Sequence, residues 1–405
     1  MPLLDPRHYR VDDLLRRPFQ MGGPLLASCP PFRAEAIDDW GFPGGLFAVG
    51  DVYATELGPL RLRLFGDGET VLPSDGIDRP SHLTLNAADP VSGLQVTEDK
   101  FIAEDGTAVS VLSLRNARDL PISVRVDARF GLSNGERIET GSETWVTYRE
   151  GPPGDDLRFR LNPFTVRTLI FAIALGRTED EARQRVMQRR YGSDPIRRQQ
   201  EETQRWFDAF VPNFDCSDPW FQRLWYHRWQ LVRRNGIDLD RSGCEELARR
   251  IDALEPGAES DATISALWEE YCRSQFVEGH FDRPFIPVGE PVDGLGSLPG
   301  ADGRPVCLWA ERLLANHLGI RREAGKLAVQ PIFSTPPWRY FCVDRWAASG
   351  TEVTMVWDDP TEPEDAFHDG DKGFSVFRDE IRLLKQESPS AVSLSVDAFQ
   401  GDEGE

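Results

Sequence analysis

The sequence predicts a multidomain protein of α and β structure. An antiparallel β-sandwich leads, linker helices follow, a helical region occupies the middle, and a small β module closes the chain. Three observations lead there. Up to Gly176 apolar and polar residues alternate in short runs, the period of strands with one buried face. Beyond Gly176 the apolar spacing lengthens to that of helices. From Lys326 the alternation returns.

The leading runs are "LRLRLF" (Leu60 to Phe65), "SHLTLNA", "AVSVLSLRNA", "ISVRVDARF", "ETWVTYRE" and "RTLIFAIAL", broken by the turn-formers "GDGE", "EDGT", "LSNGE" and "GPPGDD". Turn signals every ~8–12 residues fit a sandwich of antiparallel strands. "VSVLSLRNARDLPISVRVDARF" reads as two strands joined by a short turn around Asp119 to Pro121. The first helix opens at Thr178, an N-cap with Glu181 three residues on, the capping-box pattern. A second runs from about Asp194 to Phe210, and "NFDCSDPW" breaks it. Asp218 and Pro219 then suit the N-cap and first turn of the helix "WFQRLWYHRWQLVRRN", Trp220 to Asn235. Further helices are expected at Gly243 to Leu254, Thr263 to Phe276 and Val306 to His317. The expected divisions are residues 1–176 (sandwich), 177–212 (linker helices), 213–320 (helical domain), 321–390 (β module) and 391–405 (disordered tail).

Of the 405 residues, 40% are hydrophobic and 28% charged, as in a soluble globular chain. The formal net charge of -21 disfavours nucleic acid and anionic membranes as partners, since both need a basic surface. The opening "MPLLDPRHYRVDDLLRRPFQ" lacks the apolar run of a secretory leader, and no stretch approaches the ~20 apolar residues of a membrane span. Six cysteines without a CxxC pair read as free thiols in a reducing compartment, so a cytoplasmic location is expected. No Walker or GxGxxG loop, GxSxG elbow or HExxH helix occurs. Asp238 and Asp240 lie two residues apart without further ligands in an EF-hand pattern. No cofactor and no metal are therefore expected.

The aromatic helix carries the most chemistry. Phe221, Trp225, Trp229 and Val232 share one face; Trp220, Leu224, His227 and Leu231 share another. Two apolar faces describe a helix packed on both sides. Rings and cations also suit a sugar, whose C–H faces stack on indoles and whose hydroxyls accept from Arg and His. On that reading Trp225, His227 and Trp229 contact sugar. Arg228 or Arg233 binds its hydroxyls or a carboxylate, and Asp238 follows at the helix end.

The stretch from Glu181 to Asn235, with its "P-x-F-x-x-S-D" segment (Pro212 to Asp218), resembles the start of the helical domain in six-hairpin glycosidases. The likeness is greatest to the mannosylglycerate-hydrolase-like and glucosidase/trehalase-like glycoside hydrolases. The stretch from Leu313 to Trp346, "LLANHLGIRREAGKLAVQPIFSTPPWRYFCVDRW", is similar to their closing segment, where a β module carries a "P-x-x-W-x-x-F-x-x-D" motif. The resemblance implies an (α/α)6-type helical-hairpin domain. Gly236 to about Leu314 is too short for the full barrel, so a truncated one is expected. It also implies an inverting hydrolase of a small glycoside, in which two carboxyl groups about 6.5–9.5 Å apart serve as acid and base. "FVEGHFDRPFIPVGEPVDG" resembles the stretch bearing the general base and places that role on Glu290. The family's "Asn-Pro" after that glutamate is absent, and no segment matches the one bearing its general acid. Three readings stay open: an active glycosidase, an inactive carbohydrate binder, and a structural remnant whose exposed apolar face a second copy covers.

Overall fold

The computed structural model describes residues 19–22, 33–36, 40–42, 46–48, 51–53, 59–140, 143–154, 156–192 and 194–235. Beyond these it describes 249–250, 263, 266–267, 270, 276–277, 280–281, 307, 309–310, 313–314, 320–323, 326–329, 338–348, 351–363, 366, 372–378 and 381–395. Among the described residues antiparallel strands dominate, and the helices given in full, three in number, interrupt them. The chain forms two compact units: Met1–Arg205 with Arg233–Gly236 and Glu278–Leu298, and Trp206–Val232 with Ile237–Val277 and Pro299–Glu405.

The first unit begins with the short strands β1 (Phe19–Gly22), β2 (Arg33–Ala36), β3 (Trp40–Phe42), β4 (Leu46–Ala48) and β5 (Asp51–Tyr53). Longer strands follow: β6 (Leu60–Gly66), β7 (Glu69–Val71), β8 (Asp75–Asp78), β9 (Leu83–Ala88), β10 (Leu94–Ile102) and β11 (Ala108–Asn116). The series ends with β12 (Ile122–Phe130), β13 (Arg137–Thr140), β14 (Glu143–Glu150), β15 (Asp156–Leu161) and β16 (Val166–Gly176). They form a four-stranded sheet β1-β2-β4-β5, a seven-stranded sheet β13-β14-β16-β11-β10-β9-β8, and a five-stranded sheet β15-β12-β6-β3 with β7 beside β6. The two larger sheets share one apolar core. Leu60, Leu62 and Leu64 of β6 and Val124 and Val126 of β12 join Val96, Phe101, Leu112, Leu114 and Phe171 of the seven-stranded sheet. Alternation decides this: "LRLRLFG" buries its leucines and turns Arg61, Arg63 and Phe65 the other way. Each such side chain contributes about 1.5–3 kcal/mol of burial.

The two strands expected around Asp119 to Pro121 exist, but they do not pair with each other. β11 lies between β10 and β16, while β12 lies between β6 and β15. The turn hands the chain from one sheet to the other. Asn116 holds it, its buried amide donating to the carbonyls of Leu120 (2.8 Å), Leu161 (3.1 Å) and Asn162 (3.2 Å).

A fully buried ion pair ties the two sheets at β3. Lys100 Nζ stands 3.4 Å from Glu98 Oε2, both side chains at 0% exposure. The pair clasps one peptide unit: Gly41 N donates to Glu98 Oε1 at 2.7 Å, and Lys100 Nζ donates to Gly41 O at 2.7 Å. Ser110 Oγ donates to the same Glu98 oxygen at 2.6 Å. Burial nonetheless pushes the Glu98 carboxyl above its ordinary range, against the pull of Lys100. Gly41 has a φ of +81°, and a Cβ there would lie 2.6 Å from Leu60 O, so only glycine fits.

Helices α1 (Glu179–Tyr191) and α2 (Pro195–Phe210) follow. Thr178 caps α1 by accepting from Glu181 N at 3.2 Å, and Glu181 reaches back to Arg177 N at 2.6 Å. Asp194 caps α2, accepting from Ile196 N at 3.0 Å. Buried Arg189 binds Asp105 at 2.9 Å and Glu202 at 2.8 Å, fixing the start of α2 to α1.

Further along the chain come β17 (Asn213–Cys216), helix α3 (Pro219–Asn235), β18 (Phe276–Val277), β19 (His280–Phe281), β20 (Ile320–Glu323) and β21 (Lys326–Val329). The last strands are β22 (Tyr340–Ala348), β23 (Thr351–Asp358), β24 (Gly373–Arg378), β25 (Ile381–Gln386) and β26 (Val392–Ser395). Three departures from expectation stand out. "NFDC", expected only to break a helix, is strand β17 and opens the sheet β17-β22-β23-β24-β25. Its partner is distant in sequence, which local pattern does not reveal. Val392–Ser395, inside the expected disordered tail, is β26 and pairs with β21. Phe276, expected to end a helix, is in β18. Helical residues occur at 249–250, 263, 266–267, 270, 309–310 and 313–314; the rest of those expected helices lies outside the described residues.

Candidate functional site

Helix α3 begins at Pro219, beside Asp218, as its sequence dictates. It is buried on both faces: Phe221, Leu224, Trp225, Tyr226, His227, Arg228, Trp229, Gln230, Val232 and Arg233 are all buried. Trp225 is fully covered. Its ring stacks on Phe214 with centroids 4.6 Å apart, and Trp309 (6.4 Å) and Trp346 (6.2 Å) approach it. Its Nε1 donates to Pro212 O at 3.1 Å. Trp229 meets Trp206 edge-on at 6.4 Å. His227 and Arg228 are buried at 4% and 1% exposure. Arg233, also buried, lies 3.5 Å from Glu104. The helix thus collects Trp225, His227, Arg228, Trp229 and Arg233. Asp238 and Glu290 lie outside the described residues.

Around Trp225 the structure joins two stretches far apart in sequence. β17 pairs with β22 in the register Asn213↔Asp344, Phe214↔Val343, Asp215↔Cys342 and Cys216↔Phe341. Asn213 Nδ2 donates to Asp344 at 3.2 Å, and Ser217 N donates to Tyr340 O at 3.0 Å. Trp338 packs edge-on to Phe214 (5.6 Å) and Phe221 (5.0 Å). The Tyr226 hydroxyl donates to Phe214 O at 3.0 Å and accepts from Phe214 N at 2.7 Å.

The titratable groups here are chiefly displaced by burial. The Cys216 thiol is raised, and that of Cys342 is pushed up to about 12. Burial thus favours the neutral thiol at both positions, the less nucleophilic form. The Asp215 carboxyl is raised above its ordinary range by loss of solvent, although Cys216 N pulls it down. Gln222 Nε2 donates to it at 3.3 Å. Sequence reading passed over Asp215 because its segment looked like a helix break. Among the described residues no group of three or more His, Cys, Asp or Glu could hold a metal ion. No helix among them is long and apolar enough to cross a membrane.

The first unit carries a second feature. The outward positions of β6, β12 and β15 hold Arg61, Arg63, Arg125, Arg129, Arg158 and Arg160 against Asp127 and Asp156. A groove of about 540 Å³ opens there, lined by Phe65, Ser123, Arg125, Arg158 and Arg160 among others.

No family model and no curated protein matches this sequence. Among solved structures, a chain assigned as a kojibiose phosphorylase from human microbiome is similar with a TM-score of 0.41 and 10% identity, over 57% of this chain and 42% of that one. A sialidase is similar with a TM-score of 0.27 and 10% identity, over 96% of this chain and 64% of that one. The chain therefore spans less than two thirds of either protein. At these scores neither likeness defines its fold.

Proposed function

We propose that this chain is a carbohydrate-active relative of the six-hairpin glycosidases, with an N-terminal β-sandwich and a shortened helical-hairpin domain. One observation carries the reading. The two stretches that resemble the family at sequence level, Pro212 to Asp218 and Trp338 to Trp346, are hydrogen-bonded neighbours packed around Trp225. A chance likeness in two segments more than a hundred residues apart gives no reason for them to meet.

In the active form of this reading Glu290 is the general base of an inverting hydrolysis, activating water while a second carboxyl protonates the leaving oxygen. His227, Arg228, Arg233, Trp225, Trp229 and Asp238 belong to the substrate side. The burial of Trp225, His227, Arg228, Trp229 and Arg233 favours a second form, in which the helix is packing and the protein binds sugar without turnover. A second copy covering the face left by the missing hairpins fits either form.

The test is hydrolysis of a panel of small α-glycosides, charged glycosyl-glycerates included, by wild type and Glu290→Gln. Turnover that collapses in the variant supports the active form. Turnover equal in both removes Glu290 from the mechanism. No turnover in either, together with no sugar binding by calorimetry, refutes both forms.

A further inference from the structure

We propose that the outer face of β6, β12 and β15 is a separate binding site for a short acidic saccharide. Its carboxylates would be held by Arg158 and Arg160, and a sugar ring would rest against Phe65. The anion preference is argued from this face alone; the choice of a saccharide rests on the carbohydrate reading above.

The groove is shallow and open to solvent, with a volume of about 540 Å³, enough for a small ligand laid along the sheet. Two of its cations, Arg125 and Arg158, are held before any ligand arrives. Asp156 takes Arg125 Nε at 3.0 Å and an Arg158 terminal nitrogen at 2.8 Å. The Arg125 guanidinium lies 5.1 Å from the Phe65 ring centroid, which fixes both groups. A planar fork held in this way loses little freedom when it takes a carboxylate in two parallel hydrogen bonds.

The strand register gathers the arginines on one face. Arg125 stands directly opposite Arg158, and Arg160 opposite Ser123. Asp156 lies between the first two and offsets their mutual repulsion, which favours the charged Arg158. One carboxylate, Asp156, serves two of these guanidiniums, and Arg160 makes no ion pair among the described residues. A bound anion supplies the partner that Arg160 lacks among the described residues.

The same net charge limits the ligand's length. A long polyanion such as nucleic acid would run off this face onto an acidic protein. With a screening length of about 8 Å at physiological salt, a short anion senses mainly the local arginines. The Phe65 ring adds an apolar surface for the C–H face of a sugar.

The experiment is calorimetric titration of the full chain at physiological salt with trigalacturonate, maltotriose and a trinucleotide of equal charge. The variants are Arg158→Ala/Arg160→Ala and Phe65→Ala, with thermal melts to confirm folding, and Glu290→Gln as a separate control. Trigalacturonate binding is expected. It should fall at least tenfold in the arginine variant, severalfold in Phe65→Ala, and not at all in Glu290→Gln. No trigalacturonate binding, equal binding by a folded arginine variant, or equal affinity for the trinucleotide or maltotriose each overturns the proposal. Glycoside turnover is measured separately, so loss of this site and failure of the glycosidase reading give different results.

Discussion

Replacing Lys100 by methionine tests how the two large sheets are tied together. Methionine keeps most of the stem volume and removes the ammonium. Glu98 is then left with no exposed surface and no cation, and Gly41 O loses its 2.7 Å donor. Breaking one side of a buried pair costs about 3–5 kcal/mol, because the remaining charge keeps its desolvation penalty. For a unit of this size about 1 kcal/mol moves the melting midpoint by roughly 2–4 °C, so a fall of about 10 °C is expected. The pH dependence carries the sign. Burial raises the Glu98 carboxyl above its ordinary value of 4.5. The cost of its charge is therefore present above the raised value and vanishes as pH falls below 4.5, where both folded and unfolded chains are protonated. The gap between wild type and Lys100→Met should accordingly narrow from pH 7 to pH 5. It should also close by half or more in a Glu98→Gln background, which carries no charge to strand. Differential scanning calorimetry of the four proteins at both pH values measures this. A penalty below about 1 kcal/mol at pH 7, or one unchanged by acid and by Glu98→Gln, would refute the reasoning.

Gly41→Ala should lower the same melting transition by about 2 kcal/mol or more, because the new Cβ meets Leu60 O at 2.6 Å at a φ of +81°. Asn116→Ala removes the amide that satisfies three carbonyls at the sheet-to-sheet turn. A loss of about 1–3 kcal/mol in urea unfolding is expected, and a neutral effect would mean that water replaces the side chain. Asp89 accepts from Val91 N (3.1 Å) and Ser92 N (2.9 Å), and its bond with the Ser92 hydroxyl holds its carboxyl below the ordinary 3.8. Its contribution is present above pH 3.8 and is lost as pH falls through the lowered value. Asp89→Asn should thus be less stable than wild type at pH 6 and approach it at pH 3, as followed by circular dichroism. Trp225→Ala empties the centre of the second unit's aromatic cluster and should cost about 3–5 kcal/mol, read from thermal melts monitored by fluorescence.

What the sequence made legible follows the range of the physics. Alternation, caps and turn residues are local, so the leading strands, the Thr178 cap and the start of α3 at Pro219 all stood in the letters. Pairing is not local. Nothing in "SLRNARDLPISV" says that its two strands part into different sheets; that follows from the partners β16 and β15, which come much later. β17 escaped for the same reason: four residues gain strand character only when β22 arrives beside them. The candidate site divides in the same way. That α3 is packed on both sides was readable from its two apolar faces, and the buried rings agree with it. Which of its polar groups reach a ligand was not, since a helix wheel assigns faces and not neighbours. Arg228 shows the difficulty: a cation in sequence is expected at a surface, yet it is 1% exposed. The arginines of the outer sheet face show the converse. Each read singly as the solvated half of an alternating strand, and only register placed Arg125 opposite Arg158 with Asp156 bound to both. Where a sheet face gathers cations that the core does not require, the cause lies outside packing, and that is where a ligand is to be sought first.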